Sequence, residues 1–168
     1  MAMLFLALPL AAQPVPSWSP DEDILGHLEK QPDNSRFMAA LKASGWDVTL
    51  RTPGRYTVFA PTNQAFAALP RALAAALVDP RQRDRIRALV GCHIVGREVK
   101  FGLGPDGTQV IRTLGGCTLR LTRKGLDIRV TDENGITAKL RMFDVFEANG
   151  QIEVIDAVLT PKLPAGAS

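Results

Sequence analysis

The chain has 168 residues, 46% of them hydrophobic, with 20 basic side chains against 17 acidic ones and a formal net charge of +3. That length fits one compact domain with a sizeable core, and the composition is globular rather than disordered or fibrous. So mixed a charge is too weak a bias to indicate nucleic acid as a partner.

Residues 1–20 are read apart from the fold. Met1 to Ala12 is uncharged, apolar and ends in small residues. It is too short for a membrane-spanning helix, which takes roughly 20 residues. It matches the hydrophobic and cleavage regions of a secretory signal without the basic start; a plain apolar tail is the other reading. Pro14, Pro16 and Pro20 make a stiff spacer. Any membrane association would run through this leader, because no later stretch is long and apolar enough to span.

Ser19-Pro20-Asp21-Glu22 has the form of a capping box, with Ile24, Leu25 and Leu28 at helical spacing behind it and Pro32 as a stop. A second helix is expected from Asn34 to Ser44, with Phe37, Ala40 and Leu41 inward and Gly45 ending it. Thr52 to Arg55 reads as a turn. Tyr56 to Ala60 has strand composition, and Pro61 cannot donate to a ladder. Thr62 or Asn63 then caps a helix starting near Gln64, with Phe66 and Leu69 inward. Ala72 to Val78 reads as another helical piece. Asp79-Pro80 caps a helix through Val90, flanked by Arg81, Arg83, Arg85 and Arg87. Those arginines fit either an anion-binding patch or a solvated face, and the absence of an aromatic platform favours the solvated face.

Beyond Cys92 the pattern turns to β. Gly104 to Gly107 is a turn, and Thr118–Thr122, Leu126–Val130 and Ile136–Leu140 each alternate apolar and polar residues. Lys124-Gly125 and Asn134-Gly135 supply hairpin turns, and Asn149-Gly150 turns into a last strand. Helices first and an antiparallel meander after them make an α+β fold.

Sites for chemistry are few. Gly102 to Gly107 formally matches G-x-G-x-x-G, but strand-like residues follow where a helix should open, so it is a turn. His27 lies on a surface-type helix without a motif partner. His93 follows Cys92; on a strand the two would face opposite ways and could not act as nucleophile and base. His93 is therefore read as a packing residue. No metal-ligand spacing, Walker loop or nucleophile elbow is present, and neither an enzyme nor a cofactor is expected. Cys92 and Cys117 are either a disulfide, allowed in an oxidising compartment, or two buried thiols; the sequence leaves both open.

Three segments resemble the signature elements of fasciclin-like domains. They are Thr57-Val58-Phe59-Ala60-Pro61-Thr62-Asn63 with Phe66, then His93-Ile94-Val95-Gly96, then Asn149-Gly150-Gln151-Ile152-Glu153-Val154-Ile155-Asp156 running on to Leu159. The resemblance covers residues 21–161 as a single domain, with 162–168 as a short disordered tail. It implies a β-sandwich or wedge of antiparallel strands with helices packed along one edge. Phe59, Pro61, Thr62, Asn63, Phe66, His93, Asn149, Gly150, Ile155, Asp156 and Leu159 then become the family's structural positions. The interaction residues it implies are Asp144, Val145 and His93. Cys92 stands where the family has a tyrosine, Val145 where it has isoleucine, and Glu153 where histidine is frequent. The implied function is a non-catalytic adhesion or surface-interaction domain, secreted or in the cell envelope, with a cell-surface or matrix protein or glycan as partner. A carrier of a small apolar ligand, such as a carotenoid or lipid, is the alternative that the resemblance also allows.

Overall fold

The computed structural model describes residues 22–77, 79–101 and 106–162, with Phe143 and Asp144 described by backbone alone. Strand β1 (Tyr56–Pro61) is buried at all six positions and therefore needs cover on both faces. Alternation sorts its side chains: Tyr56, Val58 and Ala60 join one apolar core and Phe59 a second. Strand β7 (Gly150–Ile155) lies parallel beside it, with Tyr56 opposite Gly150 and Pro61 opposite Ile155. It divides in the same way, Ile152 entering the first core and Ile155 the second.

Helices roof the first core. α1 (Ile24–Lys30), α2 (Ser35–Ser44) and α3 (Trp46–Leu50) precede β1; α4 (Asn63–Ala67), α5 (Arg71–Ala76) and α6 (Arg83–Gly91) follow it. α2 turns Phe37, Ala40 and Leu41 inward and ends at Gly45, whose φ of 76° is the left-handed conformation of a helix stop. Thr62 caps α4, its hydroxyl accepting from the Ala65 amide at 3.2 Å.

The second core is closed by a meander of β3 (Gly107–Arg112), β4 (Thr118–Lys124), β5 (Asp127–Thr131) and β6 (Thr137–Glu147), while β2 (Ile94–Val95) pairs on the far side of β1. The strand order is β2-β1-β7-β6-β5-β4-β3, and every neighbouring pair except β1–β7 is antiparallel. β6 serves both layers. Its first residues pair with β5, Thr137 opposite Thr131, and its later ones with β7, Glu147 opposite Gly150. Register shifts between Leu140 and Met142 and between Met142 and Val145 separate the two parts. Such irregularities bend a strand and increase its twist, which is how one strand crosses from one layer to the other. The architecture is α+β.

Several local expectations change. α1 begins at Ile24 with Asp23 as its cap, the carboxylate accepting from the Gly26 amide at 2.7 Å; Glu22 is not helical, and Ser19 to Asp21 lie outside the described residues. Asp79 caps a 3-10 turn, Pro80–Gln82, that leads into α6 in place of one continuous helix. Cys92 and His93 are not on a strand: they form the turn that leaves α6, and the His93 amide donates to the Val90 carbonyl at 2.9 Å. Val78 and the turn residues Gly102 to Pro105 lie outside the described residues.

Candidate interaction site

The β6–β7 hairpin carries two of the residues that the resemblance implies for interaction, Asp144 and Val145; the third, His93, lies in the turn after α6. Among the described residues, β6 past Lys139 pairs only with β7, so the other edge of its later part has no described strand partner. On this part the large apolar side chains Met142 and Phe146 are 52% and 46% exposed. Val145 is half-buried and packs on the first core opposite Ile152. Asp144 belongs to the strand, and its side chain lies outside the description.

The turn at the hairpin's end is built to hold the fold. Asn149 Oδ1 accepts from the Ile24 amide at 3.0 Å, and its Nδ2 donates to the Leu50 carbonyl at 2.8 Å. One side chain thus satisfies the first turn of α1 and the last residue of α3. Gly150 has φ 151°, and a β-carbon there would collide with the Tyr56 backbone. The Asn-Gly pair is required by close approach as well as by turning.

His27 has a partner after all. Its Nδ1 lies 2.9 Å from Glu147 Oε1 at the end of β6, and its Nε2 lies 3.2 Å from Gln31 Nε2. The Glu147 side chain is 3% exposed. Burial, with Glu22 and Asp23 nearby, pushes its carboxyl up to about 7, Lys30 opposing. Burial lowers His27, with Glu22 opposing and Lys30 adding to the shift.

His93 is fully buried. Its Nδ1 lies 3.0 Å from the Leu89 carbonyl, and its Nε2 accepts from the Leu159 amide at 3.0 Å. The ring is therefore the neutral Nδ1–H form, and burial pushes its pKa down to about 4. Phe37 packs against it, ring centres 5.5 Å apart. No surface role is open to a side chain so enclosed. Cys92 lies with its sulfur on that of Cys117, Cα atoms 5.2 Å apart, a separation that suits a disulfide.

The other signature positions fasten elements together. Asn63 accepts from the Arg36 amide at 2.9 Å and donates to the Pro32 carbonyl at 2.8 Å, tying α4 to the start of α2. Asp156 accepts from the Lys139 amide at 2.7 Å and pairs with Arg141 at 3.3 Å. Phe59, Phe66, Ile155 and Leu159 are core residues. Among the α6 arginines, Arg87 stacks over Trp46 at 4.4 Å and donates to the Ser44 carbonyl at 2.9 Å, as a solvated face with apolar stems would.

Between the two layers lies a polar group that the sequence reading missed. Thr57, Gln151 and Glu153 are buried, Gln151 donating to the Val99 carbonyl and, at 2.9 Å, to Glu153. Thr57 accepts from the Val99 amide at 2.9 Å and donates to the Arg97 carbonyl at 2.9 Å. The alternation of Gln151, Ile152, Glu153 and Val154 was a signal of one polar face, but not that the face would be covered. Among the described residues no buried side-chain nitrogen or oxygen lacks a hydrogen-bond partner, and no three potential metal ligands cluster.

The comparisons agree with this architecture. The Fasciclin domain model matches residues 32–161. Protein sll1483 of Synechocystis sp. is 33% identical over 129 residues, which are 77% of this chain and 68% of that protein. Human periostin is 32% identical over 134 residues, 80% of this chain but 15% of periostin. A FAS1 domain pair from the insect cell adhesion molecule Fasciclin I superposes with a TM-score of 0.70 at 20% identity, covering 86% of this chain and 52% of that one. With a family model matched over most of its length and a relative at that identity, the chain belongs to the fasciclin domain family.

Proposed function

We propose that this chain is a non-catalytic adhesion or surface-interaction domain, secreted or held in the cell envelope, that engages a surface or matrix protein or glycan through the unpaired edge of β6. The observation that carries this reading is the exposure of Met142 and Phe146 on a strand whose outer edge has no strand partner among the described residues. Edges of that kind are templates for another chain, and apolar side chains beside them add contact area. Asp144 and Val145 belong to the same stretch, Asp144 as a contact and Val145 as the packing that holds the strand. The apolar start of the chain and the Cys92–Cys117 pair suit export to an oxidising compartment.

Beads coated with the chain are expected to bind the envelope or extracellular matrix of the host, and Met142→Glu with Phe146→Glu to abolish that binding. Leu126→Glu, at an 82% exposed apolar residue in the β4–β5 turn, is the control and should bind as the parent does. Equal binding by all three proteins would move the contact away from β6. No binding by the parent would remove the adhesion reading itself.

A further inference from the structure

The helical layer contains a groove on the opposite segment of the chain from the β6 edge. Along α2, Arg36, Ala39, Ala40 and Ala43 recur at helical spacing and make one wall, which at 1.5 Å per residue is about 10 Å long. Phe66 of α4, Ala74 of α5, Leu77 just past α5 and Ile86 of α6 face it. Alanine is too short to close the space between these helices. A cavity of about 900 Å³ remains, inside the range of small-molecule sites.

Its interior is apolar and its rim is basic. Arg36, Lys42 and Arg83 stand there against a single acid, Asp79. One of the cations is engaged: Lys42 pairs with Glu29 at 3.0 Å. Asp79 is occupied in capping the Arg81 amide at 2.9 Å. The exposed Arg36 guanidinium has neither ion pair nor hydrogen bond among the described residues, and it sits at the N-terminal end of α2, where the helix dipole also favours an anion.

We propose that this groove binds a single-chain anionic amphiphile of the long-chain carboxylate class, its hydrocarbon chain along the alanine wall and its carboxylate on Arg36. The charge on the rim selects the head group, and the apolar lining selects the chain. A neutral ligand would leave the arginine unused. The site is independent of the β6 edge.

Titration of the full chain with cis-parinaric acid, followed by its fluorescence, tests the assignment. Saturable binding is expected, weakened by added salt because the ion pair is exposed. Arg36→Gln should lower affinity for the acid by about fivefold, the upper range for one exposed ion pair, and leave affinity for its methyl ester unchanged. Ala39→Trp and Ala43→Trp, at exposed positions that line the groove without entering the core, should each abolish binding while keeping the parent's thermal midpoint. Failure of the parent to bind the acid overturns the proposal. So does binding that survives both tryptophans, and equal affinity for acid and ester overturns the assignment to Arg36.

Discussion

Two buried titrating residues give this domain opposite responses to pH. His93 is held neutral, donating from Nδ1 and accepting at Nε2. The unfolded chain takes up the proton near pH 6.5, whereas the native state resists until about pH 4. Its contribution to stability is therefore complete above pH 6.5 and is lost as pH falls towards 4, on the order of 3 kcal/mol in all. Denaturant titrations from pH 7 to 4 should show that loss, and His93→Gln should start less stable and lose less. Glu147 works the other way. An unfolded glutamate releases its proton near 4.5, while the buried one holds it to about 7. Its contribution is complete below pH 4.5 and fades as pH rises through 7. Glu147→Gln should remove this decline, so that the difference in denaturation midpoint between parent and variant changes steadily between pH 5 and 8. A constant difference would mean that Glu147 is ionised throughout. His93 was legible as a packing residue because no orienting partner lay nearby in sequence. The His27–Glu147 contact was not, because its halves come from opposite ends of the chain and neither belongs to a recurring pattern.

At the scale of elements, the helices and the hairpins followed from local chemistry. Gly45 at the end of α2, Thr62 before α4, and Gly125 and Gly135 in hairpin turns with φ of 58° and 86° all act as their residue types require. What alternation does not carry is a strand's partner or direction. Nothing in Tyr56–Pro61 announces that it will lie parallel to a strand ninety residues later, or that Gln151 and Glu153 will be enclosed between layers. The join between α6 and the β3–β4 connection is equally non-local. Gly91 and Gly115 meet backbone to backbone, so closely that a β-carbon on either would clash; Cys92 follows the first directly and Cys117 lies two residues beyond the second. We propose that these cysteines are bridged. A link over a sequence separation of 25 stabilises by about 3 kcal/mol. Dithiothreitol should then lower the parent's denaturation midpoint and leave that of the Cys92→Ser, Cys117→Ser double variant where it is. A parent indifferent to reductant would mean two thiols.

Across the whole molecule, Asn149 joins what the two layers and the chain order hold apart: the start of α1, the end of α3 and the turn into β7. Asn149→Ala leaves the Ile24 amide and the Leu50 carbonyl without this partner, at a cost of about 2 kcal/mol. Asn149→Asp keeps the acceptor for Ile24 and loses only the donor to Leu50. The aspartate variant should accordingly melt between the parent and the alanine variant; an aspartate variant no better than alanine would mean that the Ile24 contact contributes little.

The parallel pairing of β1 with β7 bears on mechanical load. If the domain is pulled from its two ends, tension enters β1 at Tyr56, once the preceding helices have peeled away, and leaves β7 at Ile155. In a parallel pair those points lie at opposite ends of the ladder. The strands must slide along one another, and the hydrogen bonds from Tyr56–Gly150 to Pro61–Ile155 carry the force together. An antiparallel pair loaded at adjacent ends would unzip one bond at a time. The β1–β7 pair is thus loaded in shear, a geometry that resists rupture by sharing the force.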